Sequence, residues 1–106
     1  MASVFVNATQ ARKDARNAST IHDEVRSIES TILTTISQGQ LSVSISSGTT
    51  MTDNSAYYNA YYSISDDAAK LDQVKYVEKY FTDLGYGITI TENPSSGNTI
   101  VWNISW

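Results

Sequence analysis

The sequence predicts an α+β fold: a long N-terminal helix, then a small antiparallel sheet, formed by a C-terminal hairpin plus one strand, packed against a second helix. Three patterns predict it. Apolar residues recur at steps of three and four from Ala8 to Ile36, and again from Leu71 to Leu84. Two alternating runs, Tyr86–Ile90 and Ile100–Ile104, flank a turn-forming segment. A period near 3.6 marks a helix face and a period of two marks a half-buried strand.

The first helix is expected over residues 7–38. Its stripe is Ala8, Ala11, Ala15, Ala18, Ile21, Val25, Ile28, Ile32 and Ile36, capped at the start by Asn7 or Thr9 and ended by Gly39. The stripe is Ala in its first half and Ile or Val in its second. Alanine buries little area, so the Ile half is expected to be anchored and the Ala half to project toward a partner. Thirty helical residues span roughly 45 Å, more than a globule formed by the rest of the chain would cover. Stepping by strict heptads from Ala11, Ala15, Ala18 and Val25 brings His22 and Glu29 into the seam, so a straight-helix period is preferred over a coiled coil. Residues 1–39 are therefore read as a helical anchor or oligomerisation segment, and residues 40–106 as a small α+β head.

In the head, Leu41, Val43 and Ile45 alternate with serines as a strand, broken at Ser47–Gly48. Tyr57-Tyr58-Asn59-Ala60-Tyr61-Tyr62 fits a short helix or a strand, and is read as irregular or a single turn. Ser65 is the expected N-cap of the next helix, with Asp66 and Asp67 in its first turn. Leu71, Val74, Val77, Phe81 and Leu84 form its stripe, and Gly85 closes it. In the hairpin, a turn at residues 93–97 pairs Glu92 with Asn98, Ile90 with Ile100, Ile88 with Trp102 and Tyr86 with Ile104. All the apolar residues of these pairs share one face.

Composition narrows the function classes. The chain has 106 residues, 17% of them charged, a net charge of −4, and Ser or Thr at 27 positions. An acidic chain is a poor nucleic-acid coat, which needs concentrated Lys and Arg. With no Cys, thiol catalysis and Cys-ligated metals are excluded. No apolar run reaches the roughly 18 residues of a membrane span. His22-Asp23-Glu24 is the one patch with acid–base or metal character, but it lacks partners at helical ligand spacing, and His22 is read as a solvated or interface histidine. No G-x-S-x-G, EF-hand loop or glycine-rich phosphate loop occurs. No catalytic residue, cofactor or metal is expected. The stronger candidates are partner-binding residues: Ala11, Ala15, Ala18, Ile21 and Val25 on the helix, and Tyr57, Tyr58, Tyr61 and Tyr62, since tyrosines are enriched at protein contacts.

Several segments carry a resemblance along most of the chain. They are Ala11-Arg12-Lys13-Asp14-Ala15-Arg16, Glu24-Val25-Arg26-Ser27-Ile28-Glu29, Gly48-Thr49-Thr50-Met51-Thr52, Tyr57-Tyr58 and Asp72-Gln73-Val74. They continue with Tyr80-Phe81-Thr82-Asp83-Leu84-Gly85-Tyr86, then Asn93-Pro94 to Asn98-Thr99-Ile100, then the Trp102-Asn103-Ile104-Ser105-Trp106 end. In these the chain resembles small virion structural or uncharacterised proteins of tailed bacteriophages of marine bacteria, of the cyanophage type. Ile88-Thr89-Ile90-Thr91 departs from similar sequences, which often carry basic residues there. The resemblance implies a virion location, with other virion proteins (capsid, neck or tail) and further copies of the chain as partners. The expectation is a non-enzymatic structural component, first a capsid decoration or cement protein. The alternatives are a neck, tail or fibre adaptor, or a module that binds a host protein or glycan through its tyrosines.

Overall fold

The fold comes from a computed structural model that describes residues 8–106, with side chains from Ala18 onward. The order is α1 (Ala8–Ser37), β1 (Ser42–Ile45), α2 (Ser55–Tyr61), α3 (Ala68–Asp83), β2 (Gly87–Glu92) and β3 (Ile100–Ser105). This is the expected α+β class, extended by one short helix. Asn7 lies outside the described residues, and Thr9 is within α1.

All three helices end on the same device. Gly39, Ser63 and Gly85 adopt φ of 78°, 61° and 97°. The next residue's N–H then reaches back five positions, Gln40 to Thr35, Ile64 to Asn59 and Tyr86 to Phe81, at 3.2, 2.8 and 3.0 Å. This left-handed stop satisfies carbonyls that the helix leaves unpaired. At the end of α3 the Phe81 and Tyr86 rings also meet edge to face, 5.8 Å apart. At the Thr-rich end of α1 the hydroxyls bond locally: Thr31, Thr34 and Thr35 donate to carbonyls four residues back.

Residues 57–61, expected to be irregular or a single turn, belong to α2, and Tyr62 is its C-cap. Asn54 caps this helix by accepting the Ala56 N–H at 2.9 Å, an asparagine role that the tyrosine spacing concealed. The N-cap of α3 is Asp67 rather than Ser65. Its carboxylate accepts the Lys70 N–H at 3.1 Å and also pairs with the Lys70 ammonium at 2.9 Å, for which serine has no charge.

The sheet is antiparallel in the order β1-β3-β2. Its hairpin register differs from the expected one by two residues. Glu92 faces Ile100, Ile90 faces Trp102 and Ile88 faces Ile104. Asn93 closes the turn instead of opening it: its N–H donates to the Thr99 carbonyl at 2.8 Å and its side chain accepts the Ser95 N–H at 2.9 Å. Pro94, which has no N–H, then starts the loop. A shift of two preserves parity, so Ile88, Ile90, Ile100, Trp102 and Ile104 still point to one face. Val43 and Ile45 join that face opposite Ile104 and Trp102.

The core gathers Val25, Ile28 and Ile32 of α1, Tyr57 of α2, and Val74, Val77 and Phe81 of α3. It closes on Ile45, Met51, Ile100, Trp102 and Ile104. Three residues assigned to buried stripes lie outside it: Ile36, Leu41 and Leu84 are 45%, 72% and 57% exposed. Ile36 lies in the last turn of α1, Leu84 is the C-cap of α3, and Leu41 precedes β1. The described molecule measures 51 × 28 × 19 Å, its length close to that of α1.

Candidate interaction surface

Two arrangements stand out, one buried and one open. The buried one is centred on Glu24, which faces the core at 1% exposure. Its carboxylate accepts the Trp102 indole N–H at 2.9 Å, the Thr49 hydroxyl at 2.7 Å and the Met51 N–H at 3.1 Å. The Thr49 and Thr52 hydroxyls lie 2.7 Å apart. Since Thr49 gives its proton to Glu24, Thr52 is the donor between them. Glu24 thus ties α1 to the central strand and to the 48–53 turn, while His22 and Asp23 beside it are exposed. This is an internal joint: the donors are neutral and the group is closed to solvent.

The open arrangement is a groove between α1 and α3, lined by Ala18, Ile21, His22, Val25, Glu29, Tyr76 and Tyr80, with a volume of about 480 Å³. A second trough of about 290 Å³ continues it past Tyr76, Lys79, Tyr80, Asp83 and Leu84. A shallow end is bounded by Glu29, Ile32, Leu33, Phe81, Leu84 and Tyr86. Exposed apolar side chains run along it, with Tyr76 and Leu84 each 57% exposed and Leu33 68% exposed, beside His22, Glu29 and the Lys79–Asp83 ion pair. α1 turns Glu24, Val25, Ile28, Ile32 and Thr35 inward. Of the heptad seam positions, Ala18, His22 and Glu29 line the groove, while Val25 is buried.

The expected contact residues divide accordingly. Ala18 and Ile21 line the groove, while Val25 is buried at its floor. Ala11 and Ala15 lie in α1, but their side chains fall outside the described residues. The tyrosine cluster grades from buried Tyr57 to exposed Tyr62. Tyr57 is buried and donates to the Gln73 side-chain oxygen at 2.9 Å. Burial holds its hydroxyl above the usual phenol value. Tyr58 donates to Glu92 at 2.6 Å, and that bond raises its pKa. Tyr61 is half-buried, and the Tyr62 ring meets that of Tyr58 at a tilt and that of Tyr61 edge to face. Sequence reading missed Tyr76, Tyr80 and Leu33. The spacing of Tyr76 and Tyr80, four apart beside the Val77–Phe81 stripe, was the available signal.

Among the described residues, no group of three or more His, Asp or Glu side chains is placed to hold a metal ion. No described helix is long and apolar enough to cross a membrane. Comparisons with family models, curated proteins and solved structures find no match.

Proposed function

We propose that the chain is a non-enzymatic structural component of a bacteriophage particle, acting through protein–protein contacts, with capsid decoration or cementing as the first placement. Neck, tail or fibre attachment is the alternative placement. The observation that carries the docking part is the α1–α3 groove: exposed apolar side chains, Tyr76 and Tyr80 among them, rimmed by His22, Glu29, Lys79 and Asp83. Exposed apolar patches rimmed by polar residues are characteristic of contact sites. The placement in a virion rests on the resemblance of the sequence segments quoted above.

The test is proteomic analysis of purified particles together with incorporation of variants. The chain should be present in fixed stoichiometry. A Tyr76→Arg variant, altered at an exposed groove residue, should fold and fail to incorporate. Particles that never contain the chain would refute the placement. Normal incorporation of the variant would refute the groove as the contact.

A further inference from the structure

We propose that β2 is a pairing edge, on which β2 of a second copy of this chain lies antiparallel about a two-fold axis at Ile90. This surface is distinct from the α1–α3 groove and does not depend on it. Three observations carry the pairing.

The first is which backbone groups β2 leaves free. In an antiparallel ladder, facing residues alternate between pairs that exchange hydrogen bonds and pairs that do not. Asn93 donates its N–H to the Thr99 carbonyl at 2.8 Å, in register with Glu92 facing Ile100. The bonded pairs of the hairpin are therefore Thr91 with Val101, Thr89 with Asn103 and Gly87 with Ser105. The far side of β3 agrees. Trp106 donates to the Leu41 carbonyl at 3.0 Å, in register with Ser42 facing Ser105, so β3 turns its even positions to β1 and its odd ones to β2. Ile88, Ile90 and Glu92 consequently aim their N–H and carbonyl groups away from β3, where no further strand lies among the described residues.

The second is the absence of the usual guards. Edge strands are kept from pairing by shortness, Lys, Pro or a bulge. β1, the opposite edge, has only four residues. β2 has six, Gly-Ile-Thr-Ile-Thr-Glu, and pairs with β3 without a break. Its one charge is Glu92, which accepts the Tyr58 hydroxyl at 2.6 Å. Ile88 and Ile90 pack against the core yet stay half-buried on this open side of the sheet.

The third is symmetry, which selects a second copy. The free groups stop at equal distances on either side of Ile90. At one end Tyr86 gives its N–H to the Phe81 carbonyl at 3.0 Å. At the other, Pro94 has no N–H. Turned about Ile90, a second β2 sets Ile90 beside Ile90 and Ile88 beside Glu92. Each free N–H then meets a carbonyl, about six bonds in all. Thr89 falls opposite Thr91, a favourable cross-strand pair. The two Glu92 carboxylates are kept roughly 14 Å apart along the strands, beyond the screening length of about 8–10 Å.

The experiment uses the full chain, whose lack of Cys makes introduced thiols unambiguous. Light scattering at high concentration should give twice the 11.7 kDa chain mass, falling on dilution. The Ile88, Ile90 and Glu92 amides should exchange about tenfold or more slower in the concentrated sample, while the Thr89 and Thr91 amides, bonded within the chain, stay protected in both. A mixture of Thr89→Cys and Thr91→Cys chains, both altered at exposed sites, should oxidise mainly to the mixed cross-link, because unbonded facing pairs lie within disulfide reach. Glu92→Pro removes an outward N–H that β3 does not use, and should weaken dimerisation about tenfold or more. Glu92→Gln keeps that N–H and should dimerise normally. A monomeric mass at high concentration overturns the pairing, as does a dimer in which the three outward amides exchange freely. Cross-linking of each cysteine variant chiefly to itself, or unchanged dimerisation of Glu92→Pro, also overturns it. None of these results bears on the incorporation test of Tyr76, so this pairing and the groove fail separately.

Discussion

The Glu24 carboxylate accepts the Trp102 indole N–H at 2.9 Å across 78 residues of sequence, joining the first helix to the last strand inside the core. A buried carboxylate with three donors and no cation is expensive to disturb, because each donor loses its acceptor and has no water to replace it. Glu24→Gln should cost about 1–3 kcal/mol, since its amide turns a donor toward donors. Glu24→Ala should cost about 3 kcal/mol or more. Urea denaturation of both variants checks the order. In a double-mutant cycle, Trp102→Phe should couple to Glu24→Gln by about 1 kcal/mol. Additivity would show that the bond carries no coupling.

Ser63 sits at a φ that L-residues adopt at a cost. Ser63→Gly should therefore stabilise the protein, by about 0.5 kcal/mol after glycine's greater unfolded-state freedom is subtracted. Gly48→Ala, at φ of 86°, should act oppositely, losing about 1 kcal/mol. Paired thermal melts decide both signs.

Asp67 caps α3, and its hydrogen bonds and ion pair with Lys70 hold its carboxyl below the usual range. A carboxyl depressed by folding stabilises the fold above its unfolded pKa, and the contribution fades as pH falls through the folded value. The Asp67→Asn variant keeps the cap but loses the charge. It should lie below the wild type near neutrality and converge with it in acid. Parallel stability curves down to low pH would refute the assignment.

Val25, Ile28 and Ile32 belong to the same core as Trp102, whereas the first described side chain of α1 to pack against that core is Ile21. Deleting residues 1–19 should keep a cooperative thermal transition. Deleting residues 1–39 should abolish it, because Glu24 and three core side chains leave together. Near-UV circular dichroism during heating distinguishes the two outcomes.

Much of this fold was legible in the sequence because periodicity and glycine speak locally. Gly39 and Gly85 marked the helix ends correctly, and the alternation of Ile88, Ile90, Trp102 and Ile104 fixed the inward face even though the register moved by two. The short helix α2 was missed because two adjacent tyrosine pairs satisfy either period, and its cap is a single asparagine. Glu24 was illegible for a different reason. Nothing near it in sequence predicts burial of a carboxylate, and its donors arrive from residues 49, 51 and 102 only once the chain has folded. The groove lay in between. Its α1 side was contained in the seam through His22 and Glu29, but its α3 side required knowing which flank of the second stripe the sheet leaves uncovered.

The strand order β1-β3-β2 has a consequence for when the protein acquires its shape. The middle strand is the last of the three to be synthesised, so β1 and β2 leave the ribosome with no ladder partner. The Glu24 carboxylate likewise waits for Trp102. Non-local closure of this kind slows folding and leaves strand edges unpaired during the delay. The arrival of β3 therefore supplies the ladder partner of both neighbours and the indole donor of the buried acid.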